Sequence, residues 1–183
     1  MSTTATAVTA GTWTIDPTHT EVGFTVRHLM SKVRGTFETV EGTLVTADDV
    51  TASTVSVTVD LSSINTGTAD RDNHLRSGDF FDVETHPKMV FTTTGVTQKS
   101  DTDFVVAGDL TIKDVTKPLE LAVEFLGQGG DPWGGTRIGV EATGQISRKE
   151  FGIDFNIPVA GADKAMIGDK ISISINAQAV LQA

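Results

Sequence analysis

Apolar and polar side chains alternate with a period of two along most of this chain. The alternation is clearest near the C-terminal end, where Ile171, Ile173 and Ile175 are separated by serine residues. Successive side chains of a β-strand point to opposite faces of its sheet, so each such run predicts a strand with one apolar face. The pattern predicts about eight or nine antiparallel strands, joined mostly by hairpin-length connections. The runs lie at 22–28, 55–61, 104–112, 119–125, 138–146 and 171–181, with weaker ones at 12–15, 35–46 and 88–97.

Sheets with one apolar face pack either as a two-sheet sandwich or as a closed barrel. Small residues on an apolar face leave space inside a barrel, although glycine in a strand also marks a bend or a bulge. Both architectures are open at this point, and the small residues favour a barrel with a cavity. The small residues on the apolar faces are Gly108, Ala142, Gly144, Ala177 and Ala179.

Length, charge and hydropathy restrict the domain organisation and the partners. A chain of 183 residues without an evident linker fits one domain, placed at residues 11–183 after a disordered tail at residues 1–10. The formal net charge of -10 disfavours nucleic acid or an anionic membrane as the main partner, while a local basic site stays compatible with it. We expect no transmembrane segment and, because the N-terminus lacks a secretory signal, a cytoplasmic location.

The sequence does not indicate a metal or cofactor site. It contains no cysteine, which removes disulfides, thiolate nucleophiles and cysteine-ligated metals. The four histidines His19, His28, His74 and His86 fall on separate predicted elements and lack ligand spacing such as His-x-x-x-His. We therefore expect no metal and no cofactor.

One charged stretch interrupts the β pattern. Thr68 is a suitable N-cap, Asp70 lies in the first turn where the helix dipole favours an anion, and Gly78 is a natural stop. These signals predict a helix over about 69–77. A helix this short needs to dock on the rest of the protein.

The side chains of this predicted helix suggest both how it docks and what it contacts. Asp72 and Arg76 have the i,i+4 spacing of an ion pair, as do Asp70 and His74. Such pairs also occur on ordinary exposed helices, so a structural role is as compatible with the spacing as a ligand contact. The expected apolar anchors are Leu75, Phe80 and Phe81.

The helix and its flanks resemble a known family. The run HLRSGDFFDV at 74–83, followed by HPKMVF at 86–91, is similar to the signature of the YceI-like family of polyisoprenoid-binding proteins. The resemblance covers roughly residues 12–182 in the family's order. The other matching segments lie at 13–28, 110–119, 147–152 and 167–171.

This resemblance implies a lipocalin-like antiparallel barrel of about eight strands around an elongated apolar channel that holds an isoprenoid tail. It implies a non-catalytic protein that binds, carries or stores a lipid such as a prenyl quinone or prenyl phosphate. The head group would contact Asp72, His74, Arg76, Arg27 and His28. The expected channel residues are Phe24, Val26, Val57, Val59, Met89, Phe91, Leu110, Leu121, Val123, Phe125, Ile138, Val140, Ile173 and Ile175.

The chain departs from the family pattern in two respects. Many relatives carry an export signal, which is not found at this N-terminus. In the central hairpin Asp114 stands where glycine is expected. Aspartate tolerates a left-handed backbone better than most residues, so we expect the turn to survive.

Two other functions are compatible with the sequence. An enzyme could use His74 as a general base oriented by Asp70 or Asp72, although no nucleophile motif such as Gly-x-Ser-x-Gly accompanies them. An interaction module could instead use an exposed strand edge, and a homodimer would be compatible with the same feature.

Overall fold

The computed structural model describes residues 8–157 and 166–182, which form eleven strands and one α-helix. The helix α1 spans Ala69–Arg76, close to the predicted 69–77. Short 3-10 turns lie at Pro17–His19, Val50–Ala52, Leu61–Ser63 and Arg148–Phe151. The strands are β1 (Gly11–Ile15), β2 (Glu21–His28), β3 (Ser31–Phe37), β4 (Val40–Thr46), β5 (Thr54–Asp60), β6 (Ile64–Asn65), β7 (Lys88–Gln98), β8 (Asp103–Ile112), β9 (Val115–Gly130), β10 (Thr136–Ser147) and β11 (Ile167–Leu181).

The strands form an antiparallel sheet that closes on itself. Their order is β1-β4-β5-β7-β8-β9-β10-β11, and the circle is completed where β11 pairs with β1. β2 pairs with an earlier part of β11, β3 with β2, and β6 with β3. Each of three consecutive pairs therefore makes up one bent strand of the barrel, namely β1 with β2, β3 with β4 and β5 with β6. The structure confirms the predicted eight-stranded barrel and excludes the sandwich.

The predicted run at 35–46 is not one continuous strand. It is divided between β3 and β4, and the interruption is stabilised by the neighbouring 3-10 turn. The Glu38 amide donates to the Ser63 carbonyl at 3.2 Å, and the Thr39 amide donates to Ser63 Oγ at 3.0 Å. These bonds replace strand pairing at the bend, which the alternation pattern alone does not indicate.

The two ends of the barrel differ in how they are covered. At one end, here called the helix end, lie α1, the β2–β3 turn and the 3-10 turn Arg148–Phe151. At the opposite end, here called the tryptophan end, Trp13 is fully buried and its Nε1 donates to Thr46 Oγ1 at 2.9 Å. A large buried side chain whose polar atom is satisfied thus packs at the tryptophan end.

The barrel also holds the last part of the predicted N-terminal tail. The Thr9 carbonyl accepts from Thr46 Oγ1 at 2.7 Å, and the Thr9 amide donates to Gln128 Oε1 at 2.8 Å. The disordered tail predicted at residues 1–10 thus includes a residue, Thr9, that is hydrogen-bonded to the barrel. Residues 1–7 lie outside the described part of the chain.

The central hairpin forms although it lacks the expected glycine. Lys113 and Asp114, between β8 and β9, have φ values of 53° and 63°. Two consecutive left-handed residues are what a two-residue hairpin turn requires. The expectation that aspartate would support this turn is confirmed.

Gly108 on β8 serves packing rather than empty space. A Cβ atom at this position would lie 2.5 Å from Cζ of Phe91 and 2.5 Å from the Thr92 carbonyl oxygen. The Phe91 ring therefore lies over the glycine. The alanines among the small inward residues, Ala142, Ala177 and Ala179, do line the interior space described below.

Asp16 provides a pH-dependent link across the barrel wall. Arg137 of β10 donates from Nη1 to Asp16 Oδ2 at 2.6 Å, and His19 Nδ1 lies 2.8 Å from the same oxygen. These partners, Arg137 first, hold the pKa of the Asp16 carboxyl well below its ordinary range. Because the folded-state pKa is depressed, the link stabilises the fold above the unfolded-state pKa and its contribution declines as the pH falls below about 4.

We therefore expect Asp16→Asn to lower the free energy of unfolding at pH 7 by about 1 kcal/mol. Urea unfolding at pH 7 and pH 3 measures the difference between variant and parent, which should shrink at the lower pH. Glu120→Gln, at an exposed position on β9, is the control and should change little at either pH. An Asp16→Asn difference that is independent of pH would contradict this explanation.

Candidate functional site

The barrel encloses a cavity of about 460 Å³ whose wall is largely apolar. Pockets for small molecules in proteins commonly measure about 300–1,000 Å³ and have apolar walls with few polar groups. The cavity is therefore large enough for a ligand and chemically suited to an apolar one.

All fourteen residues that the alternation and the family resemblance indicated for the channel line this cavity. The helix anchors Leu75, Phe80 and Phe81 line it as well. The alternation shows which residues share the apolar face of each strand. These residues could therefore be assigned to the interior without knowledge of the fold. The fourteen are Phe24, Val26, Val57, Val59, Met89, Phe91, Leu110, Leu121, Val123, Phe125, Ile138, Val140, Ile173 and Ile175.

Several inward side chains are only partly buried although they point into a closed barrel. Val57, Val123, Val140, Ile173 and Ile175 all keep accessible surface. An inward side chain packed against others would lose nearly all of its accessible surface. These side chains therefore face open space inside the barrel, and they mark where an apolar ligand would make contact.

Asp72 and Arg76 attach α1 to the barrel and do not pair with each other. The buried Asp72 carboxylate accepts from the Thr66 amide at 2.8 Å and from Thr66 Oγ1 at 2.5 Å. Arg76 donates from Nε to the Ser62 carbonyl at 2.9 Å and from Nη2 to the Ile64 carbonyl at 3.0 Å. Neither lines the cavity, so the predicted head-group role of these two residues is replaced by a structural one.

His74 lines the cavity, as predicted, but its acidic partner differs from the predicted ones. Its Nε2 lies 2.8 Å from Oδ2 of Asp79, not from Asp70 or Asp72. Its ring makes edge contacts with Phe80 and Phe155, each at a centroid distance of 5.0 Å. Within the described residues its side-chain hydrogen bond is to Asp79, so no hydroxyl nucleophile completes a catalytic pair there.

Arg71 is a cavity residue that the sequence analysis did not select. It lies one turn before His74 and Leu75 on α1, and all three line the cavity. Its Nε donates to Thr66 Oγ1 and its Nη2 to the Thr66 carbonyl, both at 2.7 Å. Since a guanidinium has five N–H groups, three remain for a ligand. The spacing from His74 and Leu75 was the available signal for this residue.

The two predicted head-group residues of β2 lie on opposite faces. His28 lines the cavity. Arg27 is exposed on the outer face, where its Nη1 donates to the Leu29 carbonyl at 3.4 Å. Adjacent residues of a strand point to opposite faces, so Arg27 faces outward because His28 faces inward. The prediction that Arg27 contacts the head group is therefore wrong.

Arg148 is another basic cavity residue that the sequence analysis did not select. It is only 4% exposed and donates to the carbonyls of Gly168, Ile153 and Phe155 at 2.8 Å and of Ile167 at 3.3 Å. Burial lowers the pKa of its guanidinium from the ordinary value. The acceptors lie on two segments that converge only in the folded barrel, so no local pattern pointed to it.

The basic side chains at the helix end form a connected arc. Phe155 contacts the His74 ring and its carbonyl accepts from Arg148. Arg148 also binds the Ile167 carbonyl, and Ile167 is the β11 partner of His28. With Arg71, these are the basic side chains among the described residues that line the cavity, and no acidic side chain of the described residues lines it.

The exposed part of the cavity lining lies at the helix end. Two lining residues in the described part of the chain are exposed to solvent, namely His74 with a 44% exposed side chain and Ile157 at 42%. The carbonyl of Ile157 accepts from the amide of Met166, the residue before β11. Of the lining described here, this end is therefore the part that solvent reaches most.

No group of three or more histidine and acidic side chains within 8–157 and 166–182 is arranged to hold a metal ion. Among these described residues, no helix is long and apolar enough to cross a membrane.

Comparison with known proteins gives a consistent family. The model of the YceI-like domain family matches residues 13–179. Protein YceI of Escherichia coli is 41% identical over 152 residues, which are 81% of this chain and 78% of that protein. The crystal structure of the Campylobacter jejuni YceI protein superimposes with a TM-score of 0.72 at 28% identity, over 86% of this chain and 90% of that one.

A more distant structure has the same fold. It is a polyisoprenoid binding domain from Saccharophagus degradans that is implicated in plant cell wall breakdown. It superimposes with a TM-score of 0.68 at 16% identity, over 95% of this chain and 100% of that one. At this identity the likeness shows the shared architecture.

Proposed function

This chain belongs to the YceI-like domain family, and we propose that it binds the tail of a polyisoprenoid lipid inside its barrel and carries or stores that lipid without catalysis. The observation that carries the proposal is the apolar cavity of about 460 Å³ in which partly exposed aliphatic side chains face open space. The polyisoprenoid binding domain from Saccharophagus degradans, which has the same fold, supports the choice of tail.

An isoprenoid tail suits this wall because it offers apolar surface and few polar groups. Burial stabilises by about 0.8 kcal/mol per CH₂ group. Measured affinities do not exceed about -20 kcal/mol, because ordering of the ligand and desolvation oppose binding. We therefore expect the affinity to rise with tail length until the cavity is filled and then to level off.

The head group that best fits the helix end is anionic, a phosphate rather than a quinone. Arg71 retains three N–H groups and lies beside His74, and the arc continues through Arg148 to His28. An anion beside an apolar cavity is unfavourable unless it is paired and hydrogen-bonded. The basic arc supplies that pairing, whereas a neutral quinone would leave most of it unused.

The proposal is tested first by native mass spectrometry of the purified protein and of its organic extract, which should reveal a retained isoprenoid. The delipidated protein is then titrated calorimetrically with farnesol, geranylgeraniol and geranylgeranyl phosphate. We expect the longer alcohol to bind at least about tenfold more tightly than the shorter one. The phosphate should add about another tenfold over the alcohol of the same tail.

Two arginine variants separate the head group from the tail. Arg71→Gln should remove most of the phosphate advantage while leaving the affinity for geranylgeraniol nearly unchanged. Arg27→Gln, which changes a similar charge on the outer face at the same end, should leave both affinities as they are. Absence of retained lipid together with no measurable binding of any of the three compounds would refute the proposed function.

A further inference from the structure

The turn between β2 and β3 exposes two apolar side chains. Leu29 is 41% exposed, and Met30 is completely exposed. Leu29 has a φ of 54° and its amide donates to the Met166 carbonyl at 2.8 Å, so the turn is fixed to the barrel. Neither side chain belongs to a buried core cluster of the described residues. We call residues 27–34 the hairpin tip.

The outer face of the hairpin tip carries unpaired positive charge. Arg27, Lys32 and Arg34 are exposed, and Arg27 lies directly opposite Lys32 in the ladder. Like charges at directly opposite positions destabilise a sheet. Residues 22–37 contain no acidic residue, and the ion pairs among the described residues do not include any of these three.

The adjacent strand does not neutralise this charge. Asp169 of β11 accepts from Ser147 Oγ at 2.6 Å and from the Lys149 amide at 3.1 Å. It is thus engaged on the side of β10, away from the hairpin tip. In a chain of net charge -10, a basic hairpin with an apolar apex is a local exception.

The position of the hairpin tip connects it to the cavity. His28, within the tip, lines the cavity, and Met166, which binds the Leu29 amide, also lines it. The tip therefore lies at the helix end, beside the lining residues that solvent reaches most. A surface bound by the tip would face this end of the barrel.

We propose that the hairpin tip docks on an anionic phospholipid surface, with Leu29 and Met30 inserted among the lipids and Arg27, Lys32 and Arg34 against the phosphate groups. Basic residues attract anionic leaflets, and apolar side chains at the apex add insertion energy. Nucleic acid would use the basic groups but not the solvent-exposed leucine and methionine. Docking would serve the exchange of lipid through the helix end. This purpose rests on the proposed function, whereas docking itself does not.

Flotation of the purified protein with vesicles tests the proposal. Vesicles of phosphatidylcholine with about 30% phosphatidylglycerol should carry the protein upward, those of pure phosphatidylcholine should not, and added salt should weaken the binding. The double variant Leu29→Ser/Met30→Ser and the double variant Arg27→Gln/Lys32→Gln should each bind about tenfold more weakly.

The matched control changes exposed apolar residues at the tryptophan end. Trp133 is 75% exposed and Leu126 is also exposed, so Leu126→Ser/Trp133→Ser removes similar surface and should leave flotation unchanged. Unchanged flotation of both tip variants, loss with the control variant, or tighter binding to single-stranded DNA than to the anionic vesicles would overturn the proposal.

Titration with geranylgeranyl phosphate in solution distinguishes this proposal from the proposed function. The tip variants should bind it like the parent, because the altered side chains do not line the cavity. Vesicle binding by a protein that retains no lipid and binds neither the phosphate nor the two alcohols would support docking while refuting the lipid-binding function. Loss of solution binding in the tip variants would overturn the assignment of a separate surface role to the tip.

Discussion

Replacing Arg148 with methionine is expected to lower the free energy of unfolding by about 3–5 kcal/mol. The guanidinium is buried and donates to four backbone carbonyls, on Ile153, Phe155, Ile167 and Gly168. Methionine fills a similar volume but donates to none of them, and each buried carbonyl left without a partner costs about 1–3 kcal/mol before water compensates. Urea unfolding followed by far-ultraviolet circular dichroism measures the change.

The neighbouring residue provides the control for this prediction. Lys149 follows Arg148 in the same 3-10 turn and has an exposed side chain, so Lys149→Met should change stability by less than about 0.5 kcal/mol. Arg148→Lys keeps the charge but lacks the planar fork that reaches carbonyls on two segments, so it should recover only part of the loss. A loss below about 1 kcal/mol in Arg148→Met would contradict the role of the guanidinium as a clamp.

The same clamp has a consequence for the cavity. Ile153 and Phe155, whose carbonyls bind Arg148, both line the helix end of the cavity. Loss of the clamp should therefore loosen the cavity wall at the helix end as well as the fold. We expect the methionine variant to release bound lipid faster than the parent does, under conditions in which both are folded.

The strand faces were predictable because their signal is local. A period of two assigns each side chain to one face whatever the tertiary structure is, and this placed Val57, Val123 and Ile175 on the cavity wall. The closure of the sheet is a different kind of information. It depends on the pairing of β1 with β11, at opposite ends of the chain, and the sequence indicated it through the small inward residues and the family resemblance rather than through the strand pattern.

The polar contacts of α1 were not predictable from spacing within the helix. Asp72 and Arg76 had the ideal separation for a pair, yet Asp72 binds Thr66 and Arg76 binds Ser62 and Ile64, which precede the helix. Within the helix Arg76 donates to Asn73 Oδ1 at 3.0 Å rather than to Asp72. A helix of eight residues with one large apolar side chain has little apolar surface with which to dock. The helix docks through its charged side chains instead. Several of their acceptors are backbone carbonyls, which cannot be identified from residue types in the sequence.

Val123→Trp is expected to weaken the binding of geranylgeraniol by at least about 100-fold while leaving the fold intact. Val123 points into the barrel from β9 but is only partly buried, so a larger side chain would occupy the open space that a tail would fill. A tryptophan that displaces about one isoprene unit removes the burial of roughly five carbons at about 0.8 kcal/mol each. Calorimetric titration measures the loss.

The accompanying stability measurement decides whether Val123 faces a cavity or a packed core. Insertion of a larger side chain into a packed core destabilises a protein by about 1–3 kcal/mol or more, whereas filling empty space does not. We therefore expect the thermal midpoint of Val123→Trp to equal or exceed that of the parent. Ala122→Trp, at the adjacent exposed position of the same strand, should retain full binding. If Val123→Trp is stable and still binds the lipid at parental affinity, the ligand does not occupy the barrel interior. The tryptophan side chain is larger than valine and would fill the space that the tail needs.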